Sequence, residues 1–185
     1  MLRVKEGDES AFAILVEKYQ RPVMNFLYHM VSNAAEAEDL TQEAFLHAYQ
    51  AAPRYRPEAR PSTWLFRIAI NLTLKKLRAD RRNRWFSRQH FYGLGSSSSE
   101  PAADAKSQPD TQSEQGEMLQ ALEDALHKLP ERQRIAVILQ RFEGFSYLEI
   151  AEAMGCSVEG VEALLGRAKI RLRNSLTAYA PAHKT

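Results

Sequence analysis

The sequence predicts an all-α protein of two small helical domains joined by a flexible linker, the C-terminal domain containing a helix-turn-helix. Three observations carry that expectation. Apolar residues recur at spacings of three and four along most of the chain, the period of an amphipathic helix. A run rich in Gly, Ser, Pro and Gln, nearly free of large apolar groups, breaks that period. Ser146 to Arg173 then reads as two capped helices divided by a glycine turn. The expected limits are residues 1–86 for the first domain, 87–116 for the linker and 117–179 for the second. A hydrophobic content of 44% in 185 residues supports folded cores of modest size. No apolar run nears the roughly 20 residues that span a bilayer and no signal-peptide pattern precedes the first helix, so a cytoplasmic location is expected.

Taken in order, Asp8 is placed to cap a first helix with Phe12, Leu15, Val16 and Tyr19 on one face. Pro22 reads as the start of a second, carrying Val23, Phe26, Leu27 and Met30. Asn33 and Glu36 form a cap-like pair opening a third helix, which turns Ala37, Leu40, Ala44 and Ala48 inward until Pro53 stops it. Its other face shows Glu38, Asp39, Gln42 and Glu43. By residue type alone, such a face is more often solvated surface than a docking site.

Between Tyr55 and Arg84, Pro57 and Pro61 bracket a stiff loop, and Ser62 or Thr63 is placed to cap a long helix. Leu65, Ile68, Ala69 and Leu72 make its buried stripe, while Arg67, Asn71, Lys75, Arg78 and Arg82 recur on another side. Cations so arranged neutralise phosphates. Tyr55, Trp64 and Phe66 are of the kind that stack on unpaired bases, each stack worth about 1–3 kcal/mol. Trp64 reads equally as a core anchor. Charge divides in the same sense: residues 1–50 sum to −4, 51–92 to +9, 93–128 to −5 and 129–185 to +2. The basic block is the natural site for a polyanion.

Past the linker, Met118, Leu119, Leu122, Leu126 and Leu129 share a helix face. After Pro130 come Ile135, Ile138, Leu139 and Phe142 on another helix, ended by Gly144. Ser146 and Glu149 then form a capping box, Gly155 leaves the helix that follows, and Ser157 caps the last one. There Val158, Val161, Leu165, Ala168, Leu172 and Leu176 make one buried stripe. Small Ala151, Gly155 and Val161 fall at helix-turn-helix offsets, where two helices approach closely and cross steeply; an ordinary helical hairpin is the rival reading.

Catalysis has little support. His29, His47, His90, His127 and His183 lie far apart in sequence, with no metal-ligand spacing, glycine-rich phosphate loop or nucleophile motif among them. The single cysteine, Cys156, excludes an intramolecular disulfide and a multi-cysteine zinc site. No cofactor, metal or small-molecule substrate is expected.

AEDLTQEAF at 37–45, STWLFRIAIN at 62–71, LPERQRIAVIL at 129–139 and FSYLEIAEAMGCSVEGVEALLGRAK at 145–169 occur in one order and spacing. Together they resemble the RNA polymerase sigma factors of the sigma-70 family, in the extracytoplasmic-function (ECF) subgroup. The resemblance implies that the first motif docks on the clamp of the largest subunit of core RNA polymerase through Asp39, Gln42 and Glu43. It implies capture of the −10 promoter element as single-stranded DNA by Tyr55, Arg60, Trp64, Arg67, Asn71, Lys75 and Arg78. It further implies reading of the −35 duplex by Ser146, Tyr147, Ser157, Glu159, Gly160, Glu162, Ala163, Arg167, Lys169 and Arg171, while the preceding helices meet the polymerase flap. An anti-sigma factor, often membrane-anchored, is the implied restraint, and stress the implied setting.

One stretch departs from the family. Where a threonine, lysine, serine and arginine are common along the recognition helix, this chain has Gly160, Glu162, Ala163 and Leu164, and Glu159 adds a further acid. Glutamate accepts from cytosine amino groups and is repelled by phosphate, so anchoring falls to Arg167, Lys169, Arg171 and Arg173, or to Arg141 and the amino end of the Ser146 helix. The rival function is a free-standing helix-turn-helix regulator, which has no use for a single-strand-type loop and helix at 55–71.

Overall fold

A computed structural model describes the backbone of residues 1–91 and 114–177 and the side chains of residues 1–85 and 116–177. Most of the expected linker, 92–113, lies outside the described residues, as does the tail from 178. Among the described residues all regular structure is helical: α1 Leu2–Lys5, α2 Glu9–Val31, α3 Ala34–Ala51, a 3-10 turn Ala52–Arg54, α4 Pro61–Phe91, α5 Glu114–His127, α6 Glu131–Arg141, α7 Tyr147–Met154 and α8 Val158–Ser175.

Side-chain caps set the starts of α2, α3, α7 and α8. Asp8 accepts from the amide of Ala11 at 2.9 Å and Asn33 from that of Glu36 at 3.0 Å. Two expectations need correction. Pro22 lies inside α2 instead of opening a new helix. An interior proline costs about 3 kcal/mol, but Val23, Phe26, Leu27 and Met30 just beyond it are at most 1% exposed. Each such side chain contributes about 1.5–3 kcal/mol, so burial outweighs the missing rung. The long helix α4 begins at Pro61, ahead of Ser62 and Thr63; proline suits the first helical position, and the amide of Trp64 closes the first turn on the carbonyl of Arg60 at 3.0 Å.

In the first module α2, α3 and α4 pack together, with Phe26 edge-on to Phe66 at 5.5 Å. In the second, α6 is buried nearly all round, Gln133 to Leu139: α8, α7 and, from the first module, α2 pack on it, and Leu126 of α5 joins Val137. The cores do not stay separate. Phe26, Leu65, Phe66 and Ile70 from the first module and Ile135, Ile138, Ile150 and Val161 from the second form one continuous buried cluster. Periodicity shows which face of a helix is apolar and nothing about which neighbour covers it.

Candidate nucleic-acid interface

The loop ahead of α4 is fixed from within. Tyr55 is 3% exposed, its hydroxyl donates to the carbonyl of Ala59 at 2.7 Å, and its ring meets Trp64 edge-on at 5.4 Å. Lys5 adds a bond from its ammonium to the Tyr55 carbonyl at 3.2 Å. Tyr55 therefore supports the loop and has no free face for a base, contrary to the sequence expectation. Phe66, at 1% exposure, is likewise covered. Trp64 is half-buried, and beyond it Arg67, Asn71, Lys75 and Arg78 run exposed along one line of α4.

Part of that line is held by the second module. The Arg60 guanidinium meets the Glu149 carboxylate at 2.7 Å, and Arg67 donates from Nε to the carbonyl of Glu152 at 3.0 Å. Farther along, Arg81 pairs with Glu131 at 3.1 Å. Apolar contacts accompany these: Phe66 packs on Phe145 at 5.0 Å and Phe142 lies over His29 at 4.5 Å. Ser32, in a left-handed conformation (φ 55°), meets His127 through its hydroxyl, and Arg134 approaches the Nδ1 of the same ring at 2.6 Å. Burial first and the Arg134 charge second push His127 down to about 4. His29 and His127, read from sequence as isolated, thus both sit on the seam between modules.

In the helix-turn-helix, Ser146 and Glu149 bond reciprocally: Glu149 accepts from the Ser146 amide at 2.9 Å, and Ser146 accepts from the Glu149 amide. Bonds from Ser146, with Arg60 contributing less, hold the Glu149 carboxyl below the usual range. The turn passes through Gly155 at φ +60°, where a side chain would be strained, and Ser157 accepts from the Gly160 amide at 3.1 Å. Tyr147, Glu159, Glu162, Ala163, Arg167, Lys169 and Arg171 are all exposed, while Val161 and Ala168 are buried. The outer face of α8 is open.

Two further surfaces carry possible contacts. On α3, Asp39, Gln42 and Glu43 are exposed, and Leu46 and Tyr49 on the same side are 56% and 43% exposed. Both lie off the buried stripe of α3, so the period of its apolar residues does not single them out. In the second module a groove of about 850 Å³ lies between α5, α6 and α8, floored by Leu122, Leu126, Val137, Leu165, Leu172 and Leu176. Arg141, Glu162, Lys169 and Arg173 stand at its rim. Among the described residues no three His, Cys, Asp or Glu side chains gather as a metal site, and no helix is long and apolar enough to cross a membrane.

Residues 15–83, from α2 into α4, match the family model for sigma-70 region 2, and residues 119–172, from α5 to α8, match that for sigma-70 region 4. The RNA polymerase sigma-H factor of Pseudomonas aeruginosa is 34% identical over 94% of this chain and 90% of its own length. The chain belongs to the ECF sigma factors of RNA polymerase. The sigma factor is also 33% identical to the ECF sigma-E factor of Escherichia coli over 94% of this chain and 91% of that one. SigW of Bacillus subtilis is 31% identical, over 94% and 93%. Among solved structures, the sigma factor RpoE in complex with the anti-sigma factor NepR from Bartonella quintana matches this ECF factor with a TM-score of 0.65 at 26% identity. That match covers 90% of this chain and 97% of the other. The fold recurs in CnrH in complex with the cytosolic domain of CnrY, at a TM-score of 0.68 and 23% identity over 96% and 94% of the two chains.

Proposed function

We propose that this ECF sigma factor acts in the cytoplasm as a non-catalytic specificity subunit that brings core RNA polymerase to its promoters. In this reading the exposed Asp39, Gln42 and Glu43 of α3, extended by Leu46 and Tyr49, dock on the clamp of the largest subunit. The exposed line Arg67, Asn71, Lys75 and Arg78, with Arg60 and Trp64 at its head, captures the non-template strand of a melted −10 element. Melting exposes base faces that stack and pockets can hold, and phosphates that the cations neutralise. Tyr55 serves this by holding the loop. The open face of α8 reads the −35 duplex, and the groove between α5, α6 and α8 accepts an apolar helix from the flap.

The observation that supports this reading over a free-standing regulator is the pairing of surfaces in one chain. A duplex-type helix-turn-helix and a single-strand-type helix face occupy separate modules, and a promoter requires both at a set distance. The seam adds a condition. Arg60 and Arg67 are engaged by α7, so strand capture requires that α7 leave α4. Polymerase, holding the modules apart, supplies that separation. An anti-sigma factor, such as the one bound to the Bartonella relative, restrains this chain by preventing it.

Reconstitution with core enzyme separates the assigned roles. Asp39→Ala with Gln42→Ala lowers recovery in a polymerase pull-down. Trp64→Ala with Asn71→Ala leaves recovery intact and lowers permanganate reactivity of the −10 region at least tenfold. Unchanged reactivity in the second variant removes α4 from strand capture.

A further inference from the structure

Around the axis of α8 the exposed residues fall into a leading edge and two flanks. Glu159, Ala163, Gly166 and Ile170 follow one another at steps of four, three and four and are all exposed, opposite the buried Val161 and Ala168. Lys169 and Arg173 lie on one flank of that stripe, with Glu162 between them, and Arg167 and Arg171 on the other, each cationic pair four residues apart. A helix in the major groove has a phosphate wall on either side and base edges ahead of it. The Arg167 and Arg171 flank suits one wall outright, and on the other two cations outnumber Glu162. The leading edge offers the bases one acid, two small residues and one apolar side chain, with no cation among them.

Packing within the chain does not dictate the small residues of the stripe. A Cβ built on Gly166 meets nothing within 4 Å, so packing gives no reason for a glycine in mid-helix, where it is worth about 1 kcal/mol less than alanine. Glu159 takes part in none of the ion pairs formed by the described residues. Bonds to its own backbone amide and to the Ser157 hydroxyl keep its carboxyl below the usual range, so it meets DNA ionised and can only accept.

We propose that Glu159 is a specificity-determining residue that accepts a hydrogen bond from the N4 amino group of a cytosine in the −35 duplex. This rests on the reading of α8 as the −35 reader. A carboxylate brought against DNA is repelled by phosphate, and beyond its bonds to its own amide and Ser157 it keeps acceptor sites that a base donor can fill. In the major groove the donors are the amino groups of cytosine and adenine. Beside adenine N6 stands the acceptor N7, which opposes a carboxylate; cytosine presents no acceptor of its own there.

The test uses holoenzyme reconstituted from the full chain, a promoter library randomised across the −35 region, and sequencing of the transcribed templates. The unmodified factor enriches cytosine at one position. Glu159→Gln shifts that position toward adenine, whose N6 and N7 a carboxamide bonds together, by about tenfold. Glu159→Ala flattens it, and in both variants the other positions keep their preferences. Arg167→Ala weakens all sequences alike and lowers the salt slope by about one. Identical preferences at every position in the Glu159 variants overturn the proposal. So does a loss spread evenly over all positions, which makes Glu159 a helix stabiliser. If the unmodified holoenzyme enriches nothing across the −35 region, the reading of α8 itself falls, and that outcome is distinct from the other two.

Discussion

Glu143, in the loop between α6 and α7, is a half-buried carboxylate that burial pushes up to about 7 from 4.5. Its contribution is fully favourable below the lower value and is lost as pH rises through the upper one, because the ionised form must then be kept out of water. Glu143→Gln therefore stabilises the fold at pH 8, on the order of 1 kcal/mol once partial exposure is allowed for, and has no such effect near pH 4. Thermal melts at the two pH values measure this, and an equal shift at both contradicts it. His127 acts in the opposite sense. Depressed by burial and by Arg134, it contributes stability above pH 6.5 that is lost as pH falls toward its folded value of about 4. Neither residue announces its surroundings in the sequence; the Ser32 hydroxyl that meets His127 lies 95 residues away.

At the scale of the element, α8 shows how a helix is divided between folding and recognition. Its buried stripe and its Ser157 cap are legible in the sequence, because period and capping chemistry are local. Gly166 is the residue at which the two demands part. Gly166→Ala should raise unfolding free energy by about 0.5–1 kcal/mol in a denaturant titration, as in any exposed helix interior. A decrease instead would show that the backbone there is not free as described. Elsewhere local rules were overridden. Pro22 failed to break α2 because the residues after it are buried at its far end, and with Pro61 as the first residue of α4, Ser62 and Thr63 lie inside the helix instead of capping it.

For the whole molecule, the continuous cluster from Phe26 to Val161 implies that the modules unfold together in the closed form. Trp64 and Trp85 are the chain's two tryptophans and both lie on α4, so their fluorescence reports on the first module. Phe145 belongs to the second and packs on Phe66 at 5.0 Å. Phe145→Ala is expected to lower the unfolding free energy by about 2 kcal/mol, for a large side chain that is only partly buried, and with it the midpoint seen by tryptophan fluorescence. A midpoint left in place would mean that the modules unfold independently.

The amino-acid sequence alone determined the all-α class, the capped helix-turn-helix, the basic stripe of α4 and the acidic face of α3. Each rests on spacings of three and four within one helix or on a cap and its helix, which fold by local geometry. Only the tertiary structure decided that Tyr55 turns inward, that Arg60 and Arg67 are engaged by α7, and that Phe66 is shared between modules. Those outcomes depend on which apolar faces meet across 50 to 90 residues of chain, and hydrophobic burial, being non-directional, leaves no mark of its partner in the local pattern.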